Sequence, residues 1–245
     1  MSFHTKQRSH ETLAFLSRLR HLRELVIHAS LSPLQDVFRD VMANDTNELR
    51  RLSLPSTLWT LLPIRLFENL TDLHMDRVPF PSNVELDLNF ALRHTAHLKS
   101  LSLPFGTTDQ EREIIAALHD NGNTLTHIVS LKLRFHQQVL PSDEDRLSNF
   151  LRERQKLQRL YLEYVQPDDS IYCPKFFLLF KQLPNLRVLG LDPCQPILHR
   201  PTENFQCSLF DILPPRLKAF HAKLEELPLS EHSLATVTIL FFEDS

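Results

Sequence analysis

The sequence predicts an α/β solenoid, in which strands form a curved parallel sheet on a concave face and helices cover the convex face. Three observations predict this fold. A leucine pattern recurs along the chain, helical patterns lie between its copies, and the spacing of the copies leaves room for one strand and one helix. One such repeat cannot bury its apolar face alone, so neighbouring repeats are expected to stack.

The recurring pattern is L-x-x-L-x-L, with other apolar residues in some leucine positions. Alternation of two residues is the spacing of a β-strand, so the second and third apolar positions are expected to face the core. Successive copies mostly begin 27 to 31 residues apart, with shorter intervals after the second copy and before the last. Seven strong copies and two weaker ones begin at Leu22, Leu49, Leu70, Leu98, Ile128, Leu157, Leu186, Leu217 and Leu234.

Helices are predicted between the strands. A hydroxyl residue followed three positions later by an acid or amide marks helix starts, because both side chains satisfy free backbone N–H groups. Apolar residues then recur at a spacing of three to four, also in segments 175–183 and 204–213. Between the second and third strands there is room only for a turn or a short helix around Ile64–Glu68. The four capping boxes begin at Ser32, Ser82, Thr108 and Ser142.

A single domain is predicted over residues 1–245. Residues 1–21 are interpreted as an N-terminal helical half-repeat, and residues 22–245 as about eight to nine repeats whose strands form the parallel sheet. The terminal repeats of such an array usually differ from the internal ones, and the shortened last copy agrees with this.

Composition and charge exclude several classes of function. Hydrophobic residues make up 42% of the chain, charged residues 23%, and the net charge is −3, which argues against nucleic acid as a partner. Only 3 glycines are present, so glycine-rich phosphate loops are not expected. The sequence contains neither a signal-peptide pattern nor a membrane-spanning apolar run. Three cysteines without paired spacing suit reduced thiols, and the predicted location is intracellular, cytoplasmic or nuclear.

No catalytic, cofactor or metal site is predicted, and the chain is interpreted as a non-enzyme. His94 and His97 have a spacing that could bind a metal, but no third ligand is near them in sequence. The acidic run Asp143–Asp145 fits the first turn of a helix, where the helix dipole favours negative charge. Cys194 and Cys207 occupy places where repeats use small buried residues.

From about Leu13 to Ile239 the repeats resemble the leucine-rich repeats of intracellular proteins. Those repeats usually carry Asn or Cys three residues after the last strand leucine, and here only Cys194 matches, so the resemblance implies an irregular arc. Long, degenerate repeats of this kind resemble the repeat region of divergent, fungal-type F-box/leucine-rich-repeat proteins. This resemblance implies a substrate-recognition arm of a ubiquitin-ligase adaptor, with other ligase subunits as partners if an F-box lies upstream.

The F-box itself is not in the sequence, because the helix expected at Ser9–Arg20 is too short to form one. We therefore hypothesise that the chain is a truncated product or has lost its adaptor module. An in-frame F-box in a longer native transcript would support this hypothesis. The alternative is a stand-alone interaction scaffold or inhibitor with no link to a ligase.

A protein partner is expected on the concave face, where the residues flanking the core leucines form columns across neighbouring strands. Tyrosine and arginine dominate binding hot spots, and they cluster on two adjacent strands. The alternative is a solvated face, with Phe135 and Tyr164 packed into the loop core. The predicted partner-binding set is Phe105, Lys132, Arg134, Phe135, Arg159, Tyr161, Glu163 and Tyr164.

Overall fold

The computed structural model describes residues 23–26, 48–55, 64–76, 88–104, 108–135, 141–164, 178–192, 213–225 and 234–240. The chain is α/β and divides into two compact units. Unit 1 comprises Met1–Ser102 with Asn123–Leu125, and unit 2 comprises Leu103–Gly122 with Thr126–Ser245. The prediction of one domain over the whole chain stays a prediction. None of the helices in the described ranges has the length and hydrophobicity that a membrane crossing requires.

Unit 1 is built from short strands connected through helices. Its strands are paired in parallel, β1 with β2, β2 with β3, and β3 with the first residues of β4. The helices contact each other along the chain. The elements are β1 (Glu24–Val26), β2 (Arg51–Pro55), α1 (Ile64–Glu68), β3 (Asp72–Asp76), α2 (Leu88–Arg93) and β4 (Ser100–Pro104).

Unit 2 repeats the same alternation with longer helices. Strands β5 to β8 pair in parallel in chain order, and β9 pairs with β8. Its first two helices pack against each other, and the second contacts a short 3-10 helix. The elements are α3 (Thr108–Asp120), β5 (Ser130–Phe135), α4 (Pro141–Arg152), β6 (Arg159–Tyr164), the 3-10 helix (Leu179–Gln182), β7 (Val188–Asp192), β8 (Ala219–Glu225) and β9 (Leu234–Leu240).

The expected inward orientation of the strand leucines is confirmed where the structure describes them. The second and third apolar positions of β2 to β7 are at most 2% exposed, whereas the residue between them is exposed in β3 (His74) and β5 (Lys132). Leucines that precede the strands, such as Leu98 and Leu186, are also buried. The period of two in the sequence therefore places one apolar face of each strand in the core.

Strand β9 differs from the prediction, because it runs antiparallel to β8. A parallel neighbour requires a crossover connection of about a dozen or more residues, which usually contains a helix. Only residues 226–233 separate β8 from β9. The shortened last repeat can therefore only turn back, and its strand ends the parallel series of unit 2.

The predicted helices are found where the structure describes them, except that the described part of segment 175–183 forms the short 3-10 helix Leu179–Gln182. Helix α1 has the predicted bounds Ile64–Glu68, α3 begins at Thr108, and α4 begins at Pro141, one residue before the predicted start. Their buried residues include Ile114, Ile115, Leu118, Leu147, Phe150 and Leu151, which are the predicted apolar positions. The half-repeat predicted over residues 1–21, the capping boxes at Ser32 and Ser82, residues 204–212 and all three cysteines lie outside the described residues.

A backbone pattern repeats at the entrance of each strand. The residue directly after the first leucine of a repeat has a carbonyl oxygen that accepts two consecutive N–H groups from the next strand. In unit 1 the carbonyls of Arg23, Arg50 and Thr71 accept such pairs at 2.8 to 3.0 Å. In unit 2 those of Val129, Gln158 and Arg187 accept them at 2.7 to 3.0 Å. Because the same geometry recurs, the repeats in each unit are structural as well as sequence repeats.

A second recurring feature is a turn before the strand, in which the first leucine donates its N–H three residues back. Leu98 donates to Thr95 at 3.1 Å, and Leu157 donates to Arg154 at 3.0 Å. The accepting residue is buried in both cases, at 0% and 2% exposure. Leu183 occupies the equivalent buried position before β7. This position therefore accepts side chains as different as threonine, leucine and arginine.

Arg154 can be buried because each of its three guanidinium nitrogens donates a hydrogen bond. Nε donates to the carbonyl of Phe150 at 3.0 Å, Nη1 donates to the carbonyl of Gly122, and Nη2 donates to Glu153 at 3.0 Å. The guanidinium also lies 4.6 Å from the centre of the Phe150 ring. Burial lowers the pKa of Arg154, and the Glu153 carboxylate opposes that shift. Its hydrogen bond to Gly122 joins the ends of helices α3 and α4.

Candidate functional site

Five of the eight predicted partner-binding residues lie in unit 2 on the side of strands β5 to β8 opposite the buried leucines. We call this surface the outer face. Its residues follow from the alternation of side chains along a strand, because a residue next to a buried leucine points away from the core. The outer face comprises Lys132, Arg134, Arg159, Tyr161, Glu163, Gly190 and His221.

Parallel pairing aligns these residues in columns. Lys132 on β5 is level with Tyr161 on β6, which is level with Gly190 on β7, and Gly190 is level with His221 on β8. Arg134 is level with Glu163 in the next column. Side chains in one column stand on strands about 4.8 Å apart, so they can interact directly.

Glu163 is held between two cations of the neighbouring strand. Its Oε1 lies 2.6 Å from Nη2 of Arg134, and its Oε2 lies 3.6 Å from Nζ of Lys132. The Glu163 and Arg134 side chains are 19% and 25% exposed, whereas Lys132 is 50% exposed. Nε of Arg134 is buried and has no hydrogen-bond partner in the described part of the chain. The cluster has one more positive than negative charge.

The ring of Tyr161 lies against Gly190 of β7, where a larger residue than glycine would collide with it. A methyl group on Gly190 would come within 2.3 Å of Cδ1 of Tyr161, which is far inside contact distance. The same ring is 6.1 Å from the ring of His221, at an angle of 35°. Tyr161 and His221 therefore line one aromatic strip across β6, β7 and β8, next to the charged cluster.

One predicted partner-binding residue is corrected by the structure. Phe135 is fully buried, because it occupies the third inward position of β5 after Leu131 and Leu133. Its ring packs in the core, as the alternative interpretation expected, and is not accessible to a partner. Phe105 and the side chain of Tyr164 lie outside the described residues. The structure brings the other five residues together on β5 and β6.

Five basic residues lie at the amino-terminal edge of β6 to β8, and only Arg159 among them was included in the sequence-based site. We call them the basic row: Lys156, Arg159, Arg187, Arg216 and Lys218. All five are exposed. The signal in the sequence was their recurrence within two residues of the first leucine of a repeat. Only the parallel register shows that they are neighbours in space, because Arg187 donates its N–H to Gln158 and Lys218 donates to Arg187.

The structure also describes the remaining sequence candidates other than the cysteines. His94 and His97 lie in the turn after α2, and no group of three or more metal-binding side chains occurs among the described residues. The carboxylate of Asp143 is buried between Arg112 and Arg146, each at 3.7 Å, so it stabilises the first turn of α4. The outer face, with cations, a carboxylate and two rings, suits non-covalent recognition.

No model of a known protein family matches the chain, and no curated protein matches it with significance.

Proposed function

We propose that this chain is a non-catalytic protein-binding module that recognises its partner through the outer face of unit 2. The observation that carries the proposal is the Lys132–Glu163–Arg134 cluster beside Tyr161. The core on the other side of the sheet is apolar, so folding does not require these charged groups. Exposed arginine and tyrosine next to one another form the kind of surface on which binding hot spots concentrate.

The proposal includes a leucine-rich-repeat solenoid with the outer face on its concave side. The recurring strand-entrance hydrogen bonds and the recurring turn support it, because each repeat contacts its neighbours in the same way. Solenoids of this type use the exposed side of the parallel sheet as an extended binding surface. The leucine pattern supplies further support, since its apolar residues fill the core positions of strands β2 to β7.

By its resemblance to F-box/leucine-rich-repeat proteins, the chain acts in this proposal as the substrate-recognition arm of an intracellular ubiquitin-ligase adaptor. The second candidate is a stand-alone scaffold or inhibitor that uses the same face. The two candidates differ in the fate of the bound partner, since a ligase substrate is degraded and a scaffold partner is not.

Site-specific photocrosslinking tests the binding face. Lys132 is replaced by photoreactive benzoylphenylalanine in the full chain, because its side chain is half exposed at the edge of the charged cluster. Asn149, exposed on α4, receives the same group as the matched control. We expect a defined protein to be crosslinked from position 132 and not from position 149. Crosslinking of that protein from position 149 alone would refute the outer face as the binding surface.

The half-life of the crosslinked protein separates the two candidate functions. Depletion of the chain should lengthen this half-life if the chain selects substrates for a ligase. An unchanged half-life with intact binding supports the scaffold. Mapping the 5′ end of the native transcript gives an independent check, because an in-frame F-box upstream belongs only to the ligase proposal.

A further inference from the structure

The aromatic strip of the outer face is fixed by its own packing. The ring of Tyr161 extends from β6 over Gly190 of β7, which is buried although it occupies an outward position of its strand. The same ring lies 6.1 Å from the ring of His221 on β8, and both rings are half-buried. A ring held in this way loses little conformational freedom when a partner contacts it, which favours binding.

The backbone beneath the strip is already paired on both sides. Strand β7 pairs with β6 and with β8, and these two strands pair in turn with β5 and β9. A partner that adds a strand to a sheet needs an unpaired edge, and the strip does not lie at one. A partner therefore reaches the strip through contacts with its side chains.

The side chains that adjoin the strip offer hydrogen-bond donors in excess of acceptors. The Tyr161 hydroxyl has no hydrogen-bond partner in the described part of the chain. Lys132 is level with Tyr161 and half exposed, and its ammonium has two further N–H groups besides one directed at Glu163. Each oxygen of Glu163 lies beside a cation, Lys132 or Arg134. A partner with exposed carbonyl groups and few N–H groups complements this arrangement.

We propose that the aromatic strip binds a proline-rich segment of the protein partner in the polyproline II conformation. This inference rests on the proposed protein-binding function and adds the chemistry of the partner. Proline has a backbone carbonyl but no backbone N–H, so such a segment brings acceptors without donors that would need partners. Aromatic surfaces suit these segments, because the polyproline II helix is formed before binding and loses little entropy.

The spacing of the two rings agrees with this conformation. A polyproline II helix rises about 3.1 Å per residue, so residues two apart are separated by about 6.2 Å along its axis. The ring centres of Tyr161 and His221 are 6.1 Å apart, so two such residues can each contact one ring. The Tyr161 hydroxyl is then available to donate to a carbonyl of the segment.

An acidic segment is the alternative that the neighbouring cations suggest, and the observations favour proline. Glu163 already lies between Lys132 and Arg134, so a partner carboxylate there would also meet a like charge. The two kinds of partner differ in their response to salt. Ion pairs at an exposed surface are screened as ionic strength rises, whereas contact with aromatic rings is not.

Fluorescence anisotropy with defined probes tests this inference. The probes are a labelled oligoproline peptide, a glycine–serine peptide of equal length, and a glutamate–serine peptide of equal length. We expect the full chain to bind oligoproline, to ignore the glycine–serine peptide, and to bind the glutamate–serine peptide more weakly than oligoproline. Oligoproline binding should not weaken between about 0.1 and 1 M salt, although the screening length falls from about 10 to about 3 Å.

Variants of the strip locate the binding. Y161F keeps the ring and removes the hydroxyl, so affinity for oligoproline should fall about fivefold, and Y161A should lower it at least about tenfold. H221A should also weaken binding, whereas the matched control H97A changes an exposed histidine of unit 1 and should bind normally. Thermal unfolding identifies any variant that has lost its fold, and Y161F keeps the test decisive if Y161A unfolds.

Three results would overturn the inference. They are absence of oligoproline binding, unchanged affinity in both Tyr161 variants, and tighter binding of the glutamate–serine peptide, which would assign an acidic partner instead. The photocrosslink from position 132 reports separately on the proposed function. A specific crosslink together with any of these results would leave the binding face standing and remove only its proline-rich partner.

Discussion

The strand entrances of the two units share one backbone hydrogen-bond pattern and differ in how many of their charged side chains form ion pairs. Unit 1 has three ion pairs there, Arg23 with Glu48 at 3.7 Å, and Arg51 with Glu24 and Asp72 at 3.7 and 3.6 Å, whereas Arg50 and Lys99 make none among the described residues. In unit 2 the equivalent edge carries the basic row, without such pairing for Arg159 or Arg187 among the described residues.

This difference shows which positions of a repeat are free to change. The hydrogen bonds at the strand entrance are made by backbone groups, so the side chains there do not determine the fold. Unit 1 places three ion pairs at these positions, whereas Arg159 and Arg187 of unit 2 make no ion pair among the described residues.

The largest expected effect concerns the buried turn position, which is arginine in unit 2 and threonine in unit 1. Arg154→Ala removes the donors to the carbonyls of Phe150 and Gly122, so unfolding free energy should fall by about 3 kcal/mol. Thr95→Ala loses only a hydrogen bond of 3.0 Å to Leu92 and should cost about 1 kcal/mol. Urea denaturation followed by circular dichroism measures both losses. Equal losses would show that the buried guanidinium has no special structural role.

The second effect concerns the residue between the two inward apolar positions of a strand, which is Gly190 in β7 and Ser53 in β2. Gly190→Ala should destabilise by about 1 to 3 kcal/mol, because the new methyl group collides with Tyr161. In a Tyr161→Ala background the same substitution should cost almost nothing, and a double-mutant cycle measures this coupling. In unit 1, the Ser53 hydroxyl is buried and lacks a hydrogen-bond partner in the described ranges, so Ser53→Ala should be neutral or stabilising. A cost at Gly190 that persists without Tyr161 would contradict this account.

The smallest effect concerns the edge charges themselves. Arg51→Ala breaks two exposed ion pairs and should lower stability by less than about 1 kcal/mol, a loss that high salt should erase. Arg159→Ala should leave stability unchanged, since that side chain makes no ion pair within the described residues. Thermal unfolding at low and high salt compares the two. A larger loss of stability in Arg159→Ala than in Arg51→Ala would show that Arg159 stabilises the fold.

Much of the candidate site could be predicted from sequence, because period-two alternation around the leucines identifies outward positions such as Lys132 and Tyr161. The errors and omissions have physical causes. Phe135 continues the inward series of β5 beyond the recognised pattern, so its burial depends on where the strand ends. The basic row is dispersed over residues 156–218 and becomes a surface only through the parallel register.

The sequence by itself determined where the described strands lie and which of their residues face the core, because alternating leucines have a single low-energy orientation. The short interval between two leucine copies also limited the connection around Ile64–Glu68 to a turn or a short helix, and the structure has helix α1 there. Only the tertiary structure decided the antiparallel direction of β9, the burial of Arg154 and the clamping of Glu163 between two cations. Each of these depends on partners that are remote in sequence or on the geometry of a turn, and local periodicity carries no information about either.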